Sequence, residues 1–179
     1  TGTIKEIARE HVTGGIFWDA AHYELAKYYE ENGEFDKALR EYQSVYIASY
    51  ENYYPAFKMA DVYHSQQKPG TAEAWYKKAY EKSGGKGYVA AKYGRILVLR
   101  NKFKPAIEPL RKALQLDAQE DLFSKDERLM ATYLLALCHA NLSEWENAAI
   151  RLDEAIRLDP NYQPARNLKR QIAAHRGDN

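Results

Sequence analysis

The chain has 179 residues, of which 45% are hydrophobic and 28% charged, a balance typical of a folded globular protein rather than a disordered one. Its 26 basic and 25 acidic residues give a net charge of +1, which argues against a general nucleic-acid binder because such proteins need a basic excess to neutralise phosphates. No apolar run approaches the roughly 18 residues of a membrane span. Cys138 is the only cysteine, which excludes an internal disulfide and a CxxC metal or redox site.

The first predicted element is a helix within residues 1–18. The stretch "TIKEIAREHV" opens with Thr3 and Glu6 at the spacing of a capping box, and Gly14 and Gly15 follow it. A capping box marks the start of a helix and glycines commonly follow its end. We therefore expect one amphipathic helix here.

Residues 19–52 predict a helix, a turn and a second helix. In "AAHYELAKYYEEN" the apolar residues Leu25 and Tyr29 lie four apart, and after the turn at Gly33 the stretch "EFDKALREYQSVY" again spaces apolar residues by three and four. Ala26 and Ala38 are small, and small side chains allow two helix axes to approach to about 8–10 Å. We expect the two helices to cross at these alanines.

The same outline recurs at a spacing of 34 residues, and a fourth copy follows after eight additional residues. A period of 34 is typical of stacked helical repeats. The residues that coincide in the first three copies are Leu25/Met59/Tyr93, Ala26/Ala60/Gly94, Tyr29/Tyr63/Leu97, Gly33/Gln67/Asn101, Ala38/Ala72/Ala106, Tyr42/Tyr76/Leu110 and Val45/Ala79/Ala113.

With these residues in register, the sequence resembles the tetratricopeptide repeat family. The first copy carries Leu25-Ala26, Tyr29, Gly33, Phe35, Ala38 and Tyr42, and the fourth carries Leu135-Ala136, Trp145, Ala148, Leu152, Ala155 and Pro160. The resemblance implies an all-α fold, a right-handed α-solenoid of helix-turn-helix repeats with a terminal capping helix. The implied segments are an N-terminal helix at 1–18 that takes the place of the second helix of a partial upstream repeat, repeats at 19–52, 53–86, 87–120 and 129–162, an insertion at 121–128, and a C-terminal capping helix and tail at 163–179.

Local signals place several helix ends in the second half of the chain. Ser124 and Glu127 form a capping-box pattern, which predicts that the first helix of the fourth repeat begins early, near Lys125. Ser143 with Glu146 predicts a cap on the helix that follows. Pro109 lies near the start of its helix, where we expect a slight kink, and Pro164 predicts the start of the last helix, whose basic face suits a solvent-exposed end.

The resemblance implies a concave groove lined by the first helix of each repeat, and in this family such a groove commonly binds peptides. Interleaved aromatic and basic residues there would suit a protein or peptide with acidic and apolar or aromatic side chains. The groove positions carried over are Tyr23, Lys27, Tyr54, Phe57, Lys58, Asp61, His64, Tyr88, Lys92, Arg95 and Tyr133. The predicted function is a non-catalytic protein-interaction scaffold.

Two alternatives accompany this prediction. The chain opens on half a repeat and does not begin with Met, which favours an accessory region of a larger protein, such as an SGNH-type hydrolase or an assembly lipoprotein, in which the repeats position another domain. The groove could instead serve self-association.

Signals for catalysis and for metal binding are weak. Asp19 and His22 have the spacing of the acid–base pair that ends SGNH-type hydrolase domains, but no nucleophile motif accompanies them. The glycines of "KSGGKG" lack P-loop spacing and indicate a turn between repeats. The five histidines are scattered, none pairing with another at i+4. We therefore predict no catalytic residues, no cofactor and no metal.

Overall fold

The computed structural model describes residues 18–49 and 51–176, and these residues form α-helices joined by short turns. Most of the predicted N-terminal helix, residues 1–17, lies outside this range. The chain divides into two compact units, Thr1–Ser83 and Gly84–Asn179. The first unit holds α1 (Trp18–Glu31), α2 (Phe35–Ala48), α3 (Tyr54–Ser65) and α4 (Pro69–Lys82). The second holds α5 (Gly87–Leu99), α6 (Phe103–Glu120), α7 (Lys125–Asn141), α8 (Trp145–Leu158) and α9 (Gln163–Arg176).

Within each unit, every helix packs against the next one along the chain, and the predicted all-α class is confirmed. In the first unit Ala26 of α1 and Ala38 of α2 are both fully buried in one apolar cluster. Tyr29 and Tyr42 lie in the same cluster. The small residues thus lie inside the core beside the large ones, as the repeat pattern predicts.

The second unit shows how closely two paired helices approach each other. Gly94 of α5 occupies the position of Ala26, and a Cβ built on Gly94 would lie 2.6 Å from the Cγ of Leu110 on α6. Leu110 is fully buried, so it has little room to move. In α7 and α8 the equivalent residues, Ala136 and Ala148, are fully buried in a common cluster.

We expect Gly94→Ala to destabilise the second unit by about 1–3 kcal/mol, because the added methyl group overpacks a filled core. Gly70→Ala is the matched control, since Gly70 is an exposed helical position where alanine is favoured by helix propensity. Urea unfolding measures the free energy of unfolding of both variants. A Gly94→Ala variant as stable as the wild type would show that the helices can separate at this contact.

The turns between paired helices share one backbone geometry. Gly33, Gln67, Asn101 and Ser143 all have positive φ, between 56° and 72°. At each turn the N–H of this residue bonds to the carbonyl three residues back, and the next N–H bonds to the carbonyl five residues before it, as in Glu34 to Tyr29 at 2.8 Å. This is the Schellman arrangement that ends a helix.

The predicted cap at Ser143 is wrong for that reason. Ser143 is the left-handed residue that ends α7, so α8 begins at Trp145 with Glu144 at its N-cap and without a side-chain capping hydrogen bond. A left-handed residue cannot also hold the extended backbone that an N-cap serine uses.

Because glycine adopts positive φ without steric cost, we expect Ser143→Gly to stabilise the protein by roughly 0.5–1 kcal/mol. Gly33→Ser at the equivalent turn is the reciprocal variant and should destabilise by a similar amount. Thermal unfolding followed by circular dichroism measures the two shifts. Shifts of the same sign would contradict the common turn geometry.

Three further features lie in the second unit. α7 begins at Lys125 with a complete capping box between Ser124 and Glu127, which confirms the early start. Cys138 is a buried free thiol whose pKa burial raises to about 12. Pro164 lies in the first turn of α9, while the kink at Pro109 stays a prediction.

Within the described residues, 18–49 and 51–176, every helix is too short or too polar to span a bilayer.

Candidate functional site

In the first unit an aromatic cluster joins α1 to α3. The ring centroids of Tyr23 and Tyr54 are 5.2 Å apart, and those of Tyr54 and Phe57 are 6.4 Å apart. Phe57 is buried, whereas Tyr54 keeps 39% of its surface exposed. Of the three, Tyr54 is therefore the side chain best placed to contact a partner.

Asn52 fixes this cluster to the start of α3. Its Oδ1 accepts from the backbone N–H of Tyr54 at 3.0 Å, and its Nδ2 donates to the hydroxyl oxygen of Tyr23 at 2.9 Å. Pro55 follows in the first turn of the helix, where its fixed φ suits a helix start. Burial raises the pKa of Tyr23 to about 12, so this hydroxyl is neutral at physiological pH.

Two of the predicted groove residues take part in internal networks. Lys58 donates to Glu30 at 3.1 Å and lies 5.8 Å from the ring centroid of Tyr42. Tyr42 lies beside the carboxylate of Glu30, and burial together with this carboxylate raises the pKa of Tyr42. Asp61 accepts from the hydroxyl of Tyr76 at 2.5 Å.

The remaining polar residues of the first unit's set differ in exposure. Lys27 is exposed and His64 is half-buried. Lys27 has no ion-pair partner within the part of the chain that the structure describes. Of the two lysines predicted for the groove in the first unit, Lys27 is therefore the one available to a partner.

In the second unit α5 and α7 enclose a cavity of about 260 Å³, here called the α5–α7 pocket. Tyr88 and Met130 stand at its rim with 39% and 36% of their surface exposed, and Phe123 and Leu134 are buried, each with 8% exposed. The full lining is Tyr88, Ala91, Lys92, Arg95, Phe123, Asp126, Glu127, Met130, Ala131 and Leu134.

The charged residues of the α5–α7 pocket are not equally available. Glu127 accepts from both the backbone N–H and the hydroxyl of Ser124, which lowers its pKa. Lys92 has a partner of its own. Arg95 and Asp126 are exposed and have no hydrogen-bond or ion-pair partner among the described residues.

Tyr133 does not join this pocket. It lies on α7 with its ring centroid 5.3 Å from that of Tyr162, in the cluster formed with α8 and α9. Burial raises its pKa. The structure thus brings Tyr88, Lys92 and Arg95 together and places Tyr133 apart from them.

Sequence reasoning missed the α7 side of the pocket. Phe123 and Asp126 belong to the insertion at 121–128, which the sequence presents as a connection and an early helix start. Met130 and Leu134 follow on α7. The sequence signal for this side of the pocket is the eight-residue departure from the 34-residue period. An apolar residue such as Phe123 within an inserted turn indicates that the turn packs against something.

A buried ion pair holds the insertion in place. The carboxylate of Asp117 accepts from the backbone N–H of Phe123 at 2.7 Å and from Nε of Arg128 at 2.5 Å. Arg128 also donates to Asp121, the left-handed residue after α6, at 2.6 Å. Donation from Arg128 holds the pKa of Asp117 below its usual value.

Asp19 and His22, which have the spacing of a hydrolase acid–base pair, have separate partners. Asp19 accepts from the hydroxyl of Ser49 at 3.0 Å. His22 is buried, with Nδ1 2.6 Å from a carboxylate oxygen of Glu41 and with its ring against Trp18. Within residues 18–49 and 51–176, no three His, Cys, Asp or Glu side chains come together as a metal site would require.

Matches to known proteins support the helical-repeat fold. The model of the tetratricopeptide repeat family matches residues 21–86. Residues 21–86 are thus similar to tetratricopeptide repeats. No curated protein matches it at the level of sequence.

Solved tetratricopeptide repeat structures share the fold. YrrB, described as "a TPR protein with an unusual peptide-binding site", is 17% identical, with a TM-score of 0.81 over 98% of this chain and 84% of that one. MamA is 19% identical, with a TM-score of 0.77 over 89% and 83%. PilW, described as a type IV pilus biogenesis factor, is 16% identical, with a TM-score of 0.66 over 89% and 70%. Identities this low indicate the fold alone.

We expect Asp117→Asn to cost about 2 kcal/mol of stability, below the 3–5 kcal/mol of a fully buried pair because Arg128 is a third exposed. Since the pKa of Asp117 is lowered in the fold, its contribution is present above the ordinary pKa near 4 and is lost as the pH falls through the lowered value. Urea unfolding between pH 6 and pH 2 should therefore show a weaker acid destabilisation in the variant. Asp126→Asn is the control, and an unchanged pH profile in Asp117→Asn would contradict the assignment.

Proposed function

We propose that this tetratricopeptide repeat protein is a non-catalytic scaffold that binds a protein or peptide on its first-helix faces, formed by α1 and α3 in one unit and by α5 and α7 in the other. The observation that carries the proposal is the α5–α7 pocket, in which Tyr88 and Met130 stay partly exposed above a buried apolar floor. Buried pockets that accept an aromatic or aliphatic anchor dominate the energy of protein interfaces.

The first unit supports the same function with a different surface. Tyr54 is partly exposed, and its ring is held by contacts with the rings of Tyr23 and Phe57. A tyrosine that is already ordered loses little rotamer freedom on binding, which favours affinity. The half-buried cluster therefore offers an aromatic contact with a polar hydroxyl tip.

Of the four basic residues predicted for these faces, two remain available for an acidic partner. Lys58 is engaged by Glu30, and Asp61 is engaged by Tyr76, so both serve the internal structure. Lys27 and Arg95 remain exposed without ion-pair partners among the described residues. A partner with acidic side chains beside apolar or aromatic ones would meet both.

The absence of catalysis is part of the proposal. The separate partners of Asp19 and His22 support it, because an acid–base pair requires the carboxylate to orient the imidazole. The likeness in fold to YrrB, a protein described as having a peptide-binding site, supports peptide recognition by analogy.

We expect a Tyr54→Ala/Arg95→Ala double variant to lose partner capture in a crosslinking pulldown, since aromatic anchors and arginines each contribute about tenfold or more to interface affinity. The matched control is Ile150→Ala/Arg111→Ala, which removes an exposed apolar residue and an exposed arginine from the second helices α8 and α6. Capture lost equally in both variants, or in neither, would show that the binding surface lies elsewhere. Light scattering of the unbound protein distinguishes a partner protein from self-association.

A further inference from the structure

The insertion between the third and fourth repeats gives this chain a pocket that the 34-residue pattern does not supply. We propose that the α5–α7 pocket is an anchor site for one large apolar side chain of a peptide, such as Leu, Met or Phe, with an adjacent acidic side chain of the peptide paired to Arg95. This proposal rests on the proposed function and specifies which partner the second unit selects.

The insertion is fixed on both sides of the pocket. On one side the Asp117 carboxylate holds the backbone N–H of Phe123. On the other side Leu122 packs on Gly87 at the start of α5, where an added Cβ would lie 2.8 Å from the Cδ1 of Leu122. Phe123 is therefore placed in the pocket floor by ordered contacts, and the pocket exists before a partner arrives.

The pocket has room for one large side chain. It holds about 260 Å³ and opens to solvent at Tyr88 and Met130. Its floor of Phe123, Ala131 and Leu134 presents apolar side chains. A flexible methionine at the rim adapts to anchors of different shape.

The charges set the orientation of the bound segment. Arg95 lies seven residues after Tyr88 on α5, a rise of about 10 Å along the helix. On the α5 side the pocket has two cations, Lys92 and Arg95, and Arg95 has no partner among the described residues. On the α7 side Glu127 already accepts from Ser124, which leaves Asp126 as the available carboxylate. The positive charge is therefore greater on the α5 side, and an acidic neighbour of the anchor is attracted there and kept away from Asp126.

The test uses a random dodecapeptide phage library selected against the whole chain, followed by fluorescence anisotropy with the enriched peptides. Enriched peptides should share a large apolar residue with an acidic residue close by. Met130→Glu should weaken their binding tenfold or more, whereas Ile150→Glu, at an exposed apolar position outside the pocket, should leave binding within about twofold. Met130→Leu, which keeps an apolar rim, should retain binding.

Arg95→Glu provides the second arm, because it should shift selection from acidic to basic neighbours of the anchor, while Arg111→Glu should not. Peptides that bind with unchanged affinity to Met130→Glu and Arg95→Glu would overturn the anchor pocket and leave the proposed function standing. A library that yields no enriched peptide would overturn both.

Discussion

The close approach of paired helices at small side chains is the contact on which the rest of the fold depends. Ala26 and Ala38 are fully buried in the first unit, and in the second unit Gly94 leaves no space for even one methyl group beside Leu110. Because each helix exposes an apolar stripe that it cannot bury alone, this contact decides which faces turn inward. The Schellman turn between the helices then sets where the second helix begins, with a left-handed residue at each of the four turns.

The tyrosine-rich core has a consequence for the surface. A buried phenol needs a hydrogen-bond partner, and Tyr76 finds one in Asp61 of α3. Tyr42 lies beside the carboxylate of Glu30 of α1. Glu30 in turn holds Lys58. Charged groups that would otherwise face a partner are therefore used to satisfy the core. We expect the first unit to contact a partner more through its aromatic cluster than through charge.

The eight-residue insertion adds the apolar floor of a pocket to the second unit. It lengthens α7 at its N-terminus with a capping box and places Phe123 in the pocket floor through the buried carboxylate of Asp117. The ion pair with Arg128 compensates that carboxylate. A departure from the repeat period thus becomes an ordered part of the fold because its backbone is bonded internally.

The sequence by itself determined the helices, their pairing and the small residues at their contacts, because these follow from a periodicity that each repeat restates. It also predicted the early start of α7 from Ser124 and Glu127, since a capping box is a local signal. The repeat register also places Ser143 at the turn position of Gly33. Only the tertiary structure decided that Lys58 and Asp61 serve the core, and that Phe123 and Met130 line a pocket with Arg95. Those outcomes depend on which side chains meet across different helices, and spacing along one chain does not contain that information.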